Sequence, residues 1–151
     1  MKKHIFTKFG LRLVKENSGT YNVSNKVTSA IDVANICYTV LRTHEFVNEK
    51  FHVFFLNTKN VVTGFTEISS GTLNASLVHP REVFKAAILN NCNSIIVTHN
   101  HPSGDVTPSQ ADIQVTDILK KAGKLLNIEV LDHIITGDED TYYSMRENGT
   151  I

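Results

Sequence analysis

The chain has 151 residues, 41% of them hydrophobic and 20% charged, which is typical of one soluble domain with its own core. Fifteen basic residues balance fifteen acidic ones, so the formal net charge at pH 7 is zero. This balance argues against a protein that binds DNA, RNA or a membrane mainly through a global positive field, although a local basic patch stays compatible with it.

The sequence indicates a protein of a reducing compartment. Cys37 and Cys92 are far apart and belong to no Cys-x-x-Cys pair, which predicts reduced thiols and argues against a disulfide framework or a zinc knuckle. The basic start soon becomes polar, and no apolar run is long enough to span a bilayer. We therefore expect a cytoplasmic protein with no membrane partner.

The first half of the chain predicts an arm, a helix and a hairpin. Residues 1–28 carry mixed patterning that predicts an N-terminal arm or a short hairpin, and residues 29–151 form the domain. Ser29 is a good N-cap for a helix from Ala30 to about Glu45. The apolar run at 51–56 and the run at 61–66 predict two strands joined by a turn at 57–60. The polar loop at 69–74 either lines a substrate groove or connects two elements.

The second half predicts two helices and three strands around a central sheet. Pro80 starts a helix to about Asn91, with Val83, Phe84, Ala87 and Ile88 as its buried face. A buried strand at 94–97 follows. A helix from Pro108, capped by Thr107, then runs to about Ala122 and stops at Gly123. Strands at 128–136 and 142–145 complete a mixed α/β domain with helices packed on the sheet.

The stretch after the buried strand has the residues of a zinc site. His99 and His101 are two apart in extended chain, so both imidazoles point to one side while Asn100 faces away. Ser109 and Asp112, three apart at a helix start, share one face and can fold back towards the histidines. Two imidazoles and one carboxylate, with a fourth position for water, are the ligand set of a catalytic zinc ion.

Simpler interpretations exist for each residue taken alone. A lone His-x-His is weak support for a metal site, and Ser and Asp at a helix start usually act as caps. His52 and His133, inside apolar strands, are typical of hydrogen-bonded core residues. The combination of ligand types at the end of one buried strand favours the metal site.

A hydrolytic zinc site also needs a general base that does not bind the metal. Glu49 is the first candidate because it directly precedes the aromatic strand, although a solvent-exposed turn residue is the alternative interpretation. Glu45 and Glu82 are further candidates. Ser109 is predicted to donate a hydrogen bond to the water or to the developing oxyanion, since no free histidine is left to activate it as a nucleophile. Asp105 and Asp132 are candidate acceptors that would orient a ligand imidazole.

Five segments together resemble a known family: GTLN at 71–74, VHPREVF at 78–84, HNHPSG at 99–104, Ser109-x-x-Asp112, and LDHII at 131–135. They closely resemble the RadC-like proteins, a branch of the JAMM or MPN-type metalloprotease superfamily. The resemblance implies a three-layer, cytidine-deaminase-like α/β fold with a mixed central sheet. It also implies zinc held by His99, His101 and Asp112, assistance by Ser109, and Glu49 as the base.

The resemblance implies a zinc-dependent metallopeptidase or isopeptidase that acts on a peptide or protein. Two departures affect this expectation. Longer RadC proteins carry a helix-hairpin-helix region associated with DNA, which this chain is too short to contain, and deubiquitinating relatives have Ser or Thr where this chain has Asn100. The alternative function is a DNA-repair-associated accessory factor or a metal-dependent nuclease, and a third is a non-catalytic binding module on the same fold.

Overall fold

A computed structural model of the chain describes residues 4–71 and 78–151. The elements within them, in chain order, are α1 (Ala30–Ile36), β1 (Lys50–Leu56), β2 (Val62–Ser70), α2 (Pro80–Leu89), β3 (Ser94–Asn100), α3 (Gln110–Leu126), β4 (Glu129–Thr136) and β5 (Tyr142–Ser144). The strands form one sheet in the order β2-β1-β3-β4-β5. β3 and β4 are parallel, and the other neighbouring strands are antiparallel.

The parallel pair explains how the chain brings its polar residues together. A parallel connection needs a crossover, and α3 provides it between β3 and β4. The first turn of α3 therefore lies near the carboxyl end of β3, where β3 reaches His99 and Asn100. In open α/β sheets, ligand sites usually lie at the carboxyl ends of the strands, as here.

The sheet is covered on both faces. One face packs against α2 and α3. The core between them includes strand residues Phe51, Val53, Phe55, Ile95 and Val97, and helix residues Val83, Phe84, Val115 and Leu119. The other face packs against α1, with Phe54, Leu56, Ile96, Ile134, Val33 and Ile36. Because side chains alternate along each strand, neighbouring residues of β1 and β3 enter different layers. The predicted three-layer α/β fold with a mixed sheet is confirmed.

The first helix is shorter than predicted. Ser29 precedes its first residue as expected, but regular α-helix ends at Ile36. It continues as a π-helical turn over Cys37–Leu41 and, after Arg42, a 3-10 turn over Thr43–Glu45. Arg42 has a φ of 57°, a left-handed conformation that ends a helix. Glycine is the usual residue for this conformation, so no sequence signal marks the helix end here.

The third helix starts later and ends later than predicted. Its N-cap is Ser109, not Thr107, and Pro108 lies outside it. Gly123 lies inside the helix, and the left-handed residue that ends it is Asn127, with a φ of 56°. Gly123 is needed for close packing, because a Cβ there would lie 2.4 Å from the Ile128 carbonyl oxygen. The glycine that suggested a helix end is therefore a point of contact between α3 and the start of β4.

Replacing Gly123 with alanine should destabilise the protein although alanine favours helices. The gain in helix propensity is about 1 kcal/mol. The backbone clash with Ile128 should outweigh it and leave a net loss of about 1–3 kcal/mol in the free energy of unfolding. Urea unfolding at pH 7 measures this loss. Gly64→Ala is the control, since its nearest atom would lie 3.9 Å away; equal stability of both variants would contradict the clash.

Several smaller features bear on the sequence predictions. The described residues 4–28 contain no regular helix or strand, and Lys26 forms an isolated bridge with Val61. Ile88, expected to be buried, is 53% exposed. Of the polar loop, residues 69 and 70 belong to β2, and 72–74 lie outside the described residues. Among the described helices, none is both long enough and apolar enough to cross a bilayer.

Candidate metal centre

Three predicted ligands converge at the carboxyl end of β3. His99 is near the end of β3, His101 follows the strand directly, and Asp112 is the third residue of α3. One potential ligand atom from each lies within 4.8 Å of the others. His99 and Asp112 are 1% and 2% exposed, so the inner side of the cluster is buried, whereas His101 is half-buried.

The distances between these atoms suit a tetrahedral ion. His99 Nε2 lies 2.9 Å from His101 Nε2 and 3.3 Å from Asp112 Oδ1, and His101 Nε2 lies 3.7 Å from Asp112 Oδ2. Zinc bonds of 2.0–2.2 Å at tetrahedral angles put ligand atoms about 3.3–3.5 Å apart. The three residues therefore need little movement to hold zinc.

A chain of hydrogen bonds fixes the tautomer of His99. Its Nδ1 lies 2.7 Å from His133 Nε2, and His133 Nδ1 lies 2.5 Å from Thr116 Oγ1. The Thr116 hydroxyl donates to the Asp112 carbonyl oxygen at 2.6 Å, so its oxygen accepts from His133. Neutral His133 then has its proton on Nδ1 and accepts from His99 Nδ1–H. The Nε2 atom of His99 is left with a lone pair directed into the cluster.

His101 is fixed in the same way by a backbone group. Its Nδ1 lies 2.6 Å from the carbonyl oxygen of Asp105, which can only accept, so Nδ1 carries the proton. Both Nε2 lone pairs and the Asp112 carboxylate thus point at one place. Such an arrangement is electrostatically unfavourable unless a cation or a proton lies between the three groups, so the donor set fits a metal ion.

The pKa values of these groups follow from the same contacts. The neighbouring Asp112 carboxylate raises the pKa of His101 above its ordinary value. Burial alone would raise the pKa of Asp112, but the adjacent His101 imidazole and the hydrogen bonds from Ser109 lower it well below its usual range. Burial lowers the pKa of His99, and burial also lowers that of His133 to about 4, so both stay neutral at pH 7. A proton on His101 therefore occupies the place that a metal ion would take.

Zinc affinity should fall as the pH falls through the raised pKa of His101. The ion needs the neutral imidazole, so binding below that pKa releases one proton and the apparent affinity drops about tenfold per pH unit. Above that pKa the affinity should be nearly constant. Isothermal titration calorimetry in buffers of different ionisation enthalpy measures both the affinity and the released proton; an affinity that stays the same down to pH 5 would contradict His101 as a ligand.

Ser109 and Asp112 form a capping box as well as part of the cluster. The Asp112 carboxylate accepts from Ser109 N at 2.7 Å and from Ser109 Oγ at 2.7 Å, and Asp112 N donates to Ser109 Oγ at 3.2 Å. Capping and metal binding are therefore compatible uses of the same carboxylate. Because the Ser109 hydroxyl proton is directed at Asp112, its donation to a water or an oxyanion stays a prediction.

Glu49 lies beside this cluster. It is half-buried and directly precedes β1. In β1, Phe51 pairs with His99 of the neighbouring strand β3. The charge of Glu49 contributes to the raised pKa of His101, although less than the adjacent Asp112 carboxylate does. Its backbone carbonyl accepts from Gly71 N at 2.8 Å. The base role assigned to Glu49 remains a prediction.

The other candidates are engaged elsewhere. Glu45 binds Arg42, and Glu82 binds Lys85. Asp132, a candidate for orienting a ligand imidazole, accepts instead from Ser144 Oγ at 2.6 Å in the layer of α1. Asp105 does orient His101, but through its backbone carbonyl and not its carboxylate.

His133 and Thr116 are the residues whose contacts sequence reasoning missed. His133 is buried and hydrogen-bonded, as expected of a core residue, but its partner is the ligand candidate His99. Thr116 is four residues after Asp112, on the same face of α3. That spacing was readable in the sequence, whereas the contact with His133 depends on how β4 lies beside β3.

Breaking this hydrogen-bond chain should weaken zinc binding without removing a ligand. Thr116→Val keeps the shape but leaves His133 Nδ1–H without its acceptor, and His133→Leu removes the acceptor of His99. Each change should lower zinc affinity about 10–100-fold. Competition with a chromophoric chelator measures it. Thr63→Val is the control, because its hydroxyl donates to a backbone carbonyl away from the cluster; equal affinities in all variants would contradict the role of the chain.

Comparison with known proteins gives a family for this arrangement. A family model described as the RadC-like JAB domain matches residues 27–150. The chain is 53% identical over 129 residues to a UPF0758 protein of Staphylococcus haemolyticus and 56% identical over 124 residues to one of Staphylococcus carnosus. It is 50% identical over 135 residues to a UPF0758 protein of Clostridium botulinum.

These alignments cover most of this chain but only part of its relatives. They span 85%, 82% and 87% of this chain, and 55%, 54% and 58% of the three relatives respectively. The chain thus spans little more than half the length of the curated relatives it matches. Because the family match includes nearly all of the domain with its three converging candidate ligands, the chain belongs to the RadC-like JAB-domain family.

Proposed function

We propose that this chain is a zinc-dependent hydrolase, a metallopeptidase or isopeptidase. The observation that carries the proposal is the convergence of two Nε2 lone pairs and one carboxylate at a single place. A hydrogen bond on the opposite nitrogen of each imidazole fixes this orientation. Such a fixed set of three ligands leaves one tetrahedral position for a water molecule.

Each residue would have a separate task. His99, His101 and Asp112 would hold zinc, which when bound supplies Lewis acidity and lowers the pKa of its water towards about 7. Glu49 would accept the proton of the attacking water at its carboxylate and return it to the leaving nitrogen. Ser109 would hold the Asp112 carboxylate, and could donate to the oxyanion only by exchanging that hydrogen bond.

A peptide substrate is supported by the edge of the sheet next to Glu49. β2 is the outermost strand on that side, and in the described residues its outer edge is paired only near its start, by residues 25–27. Its last residue, Ser70, pairs with Lys50, which follows Glu49. An extended peptide added to this edge would run two strand spacings, about 9–10 Å, from β1, the strand that Glu49 precedes.

Peptide cleavage by the zinc-loaded chain tests the proposal. A proteome-derived peptide library is incubated with the protein, and new termini are identified by mass spectrometry. We expect cleavage that disappears with a chelator, returns with zinc, and is absent in Glu49→Gln. Equal cleavage by wild type and Glu49→Gln would overturn the proposal. So would the absence of cleavage by both zinc-loaded proteins when peptides and intact proteins are both tested as substrates.

A second candidate function, a DNA-associated accessory factor or nuclease, is favoured by one surface. A cleft of about 850 Å³ at the amino ends of β3 and β4, away from the metal centre, is lined by Lys120, Lys121, Lys124 and Arg146, with Glu129 as an acidic neighbour. Clustered cations of this kind bind phosphate backbones. Salt-dependent fluorescence anisotropy with duplex DNA and a plasmid-nicking assay test it. Binding lost in Lys120→Glu/Lys124→Glu would support DNA contact, and absence of both binding and nicking would remove it.

We propose the cytoplasm as the compartment. Cys37 and Cys92 are both free, and Cys37 is fully buried. Burial raises the pKa of Cys37 to about 12, so its thiol stays protonated and unreactive. Neither thiol forms a disulfide that would need an oxidising compartment.

A further inference from the structure

Asn100, the residue between the two histidines, uses both ends of its carboxamide on one backbone segment. Its Oδ1 accepts from Lys50 N at 2.9 Å, and its Nδ2 donates to the Asn48 carbonyl oxygen at 3.1 Å. The side chain is 2% exposed, so water does not compete for these bonds. The two backbone groups belong to the residues on either side of Glu49.

The position of Asn100 in the sheet explains this contact. The backbone pairing of β1 and β3 ends at Phe51 and His99, and the next opposed residues in that register are Lys50 and Asn100. There the Asn100 side chain, and not its backbone, binds the Lys50 amide. The sheet is thereby extended by one side-chain contact, which reaches the segment that carries Glu49.

Only an asparagine side chain of this length satisfies both groups. One end must accept from an N–H and the other must donate to a carbonyl, which an aspartate cannot do because it has no donor. A serine is too short to bridge Asn48 and Lys50. Because Asn100 is the partner of both backbone groups in these part-buried hydrogen bonds, losing it should free this segment.

The alternation of side chains couples the two halves of the site. His99 and His101 point towards Asp112, and Asn100, between them, contacts the segment of Glu49. A third contact, from Gly71 N to the Glu49 carbonyl oxygen, holds the same segment from β2. The strand end that positions two ligands therefore also positions the candidate base.

We propose that Asn100 is a positioning residue for Glu49, setting the distance between the base and the three candidate ligands through the backbone of residues 48–50. The proposal rests on the proposed function for the role of Glu49. It assigns to the residue between the histidines a task separate from metal binding. A general base needs hydrogen-bond reach of the water, so a displacement of about 1 Å should cost on the order of 100-fold in rate.

The experiment compares Asn100→Ala and Asn100→Ser with Asn90→Ala, all in the zinc-loaded full chain. Asn90 is the matched control, because its Nδ2 also donates to a backbone carbonyl, that of Ala86 at 2.9 Å, away from the metal centre. With a peptide that wild type cleaves, Asn100→Ala should lower kcat about 10–100-fold. KM should change less than about twofold and zinc affinity less than about threefold, since substrate and ligands keep their contacts.

A double variant separates positioning from a general loss of structure. If Asn100 acts through Glu49, Asn100→Ala should cause no further loss of rate in the Glu49→Gln background. Losses that multiply in the double variant, or an unchanged kcat in both Asn100 variants, would overturn the proposal. Asn100→Ser keeps a polar group at the buried position and so reports on the contact if the alanine variant does not fold.

Hydrogen exchange of the Lys50 amide tests whether Asn100 holds this segment, independently of activity. If no peptide is cleaved, the proposed function fails, but this test of the contact still applies. In metal-free protein, we expect exchange of this amide at least about tenfold faster in the Asn100 variants than in Asn90→Ala, because its acceptor is gone. Unchanged exchange would overturn the proposal whatever the activity. Faster exchange without activity would support the contact and refute only the hydrolase.

Discussion

Glu49→Gln should abolish most hydrolysis while leaving the zinc content of the protein unchanged. A positioned general base typically contributes about 10²–10⁴-fold to the rate, and glutamine cannot accept the proton of the water. The glutamine has nearly the same shape, and the backbone of residues 48–50 keeps its contacts with Asn100. We therefore expect kcat to fall by about that factor, with KM changed little.

The measurement needs both zinc analysis and kinetics on the same samples. Elemental analysis by mass spectrometry should give the same zinc stoichiometry for wild type and Glu49→Gln. Glu45→Gln is a matched control four residues earlier, because Glu45 is half-exposed and binds Arg42. Full activity in Glu49→Gln, or an equal loss in Glu45→Gln, would show that Glu49 is not the base.

The strands were predictable because their signals are local. The run from Phe51 to Leu56 and the run before His99 are apolar and rich in β-branched or aromatic residues, and both are strands. The convergence of His99 and His101 also follows from local alternation. Their meeting with Asp112 depends on a crossover that the strand-helix-strand order already implied.

The contacts that fix the imidazoles were less accessible to sequence reasoning. His133 meets His99 only because β4 is the parallel neighbour of β3, in a register with an irregularity between Ile95 and Ile96. Nothing in a single sequence gives that register. The same holds for Asn100, whose partners Asn48 and Lys50 are about fifty residues away.

Helix ends were mispredicted where a residue has a second use. Gly123 has the features of a helix end but permits close packing inside α3, and Asn127 takes the left-handed conformation instead. At the other end, Pro108 favoured an earlier start, whereas the mutual hydrogen bonds of Ser109 and Asp112 set the start at Gln110. The first outcome reflects a packing contact between α3 and the start of β4, and the second a local capping box; each outweighs a single-residue preference of about 1 kcal/mol.

Asp112→Asn should remove zinc from the protein while leaving its fold almost intact. Structural zinc sites with four protein ligands bind the ion by about 10–16 kcal/mol, roughly 2.5–4 kcal/mol per ligand, so loss of one of three ligands here should lower the affinity about 10²–10³-fold. The asparagine oxygen can still accept from Ser109 N and Oγ, so the cap of α3 persists. Chelator competition and thermal unfolding with and without zinc measure the two effects separately.

The chain contains a matched control for this variant. Asp32 occupies the same place in α1 as Asp112 does in α3: its carboxylate accepts from Ser29 N at 3.0 Å and caps the helix three residues after a serine. No histidine belongs to that capping box. Asp32→Asn should therefore match Asp112→Asn in the modest loss of stability without metal, about 1 kcal/mol, and differ from it in keeping full zinc affinity. If both variants keep zinc, Asp112 is only a helix cap and the hydrolase proposal loses its metal centre. If both variants lose zinc, the loss reflects a change in the fold and not the removal of a ligand.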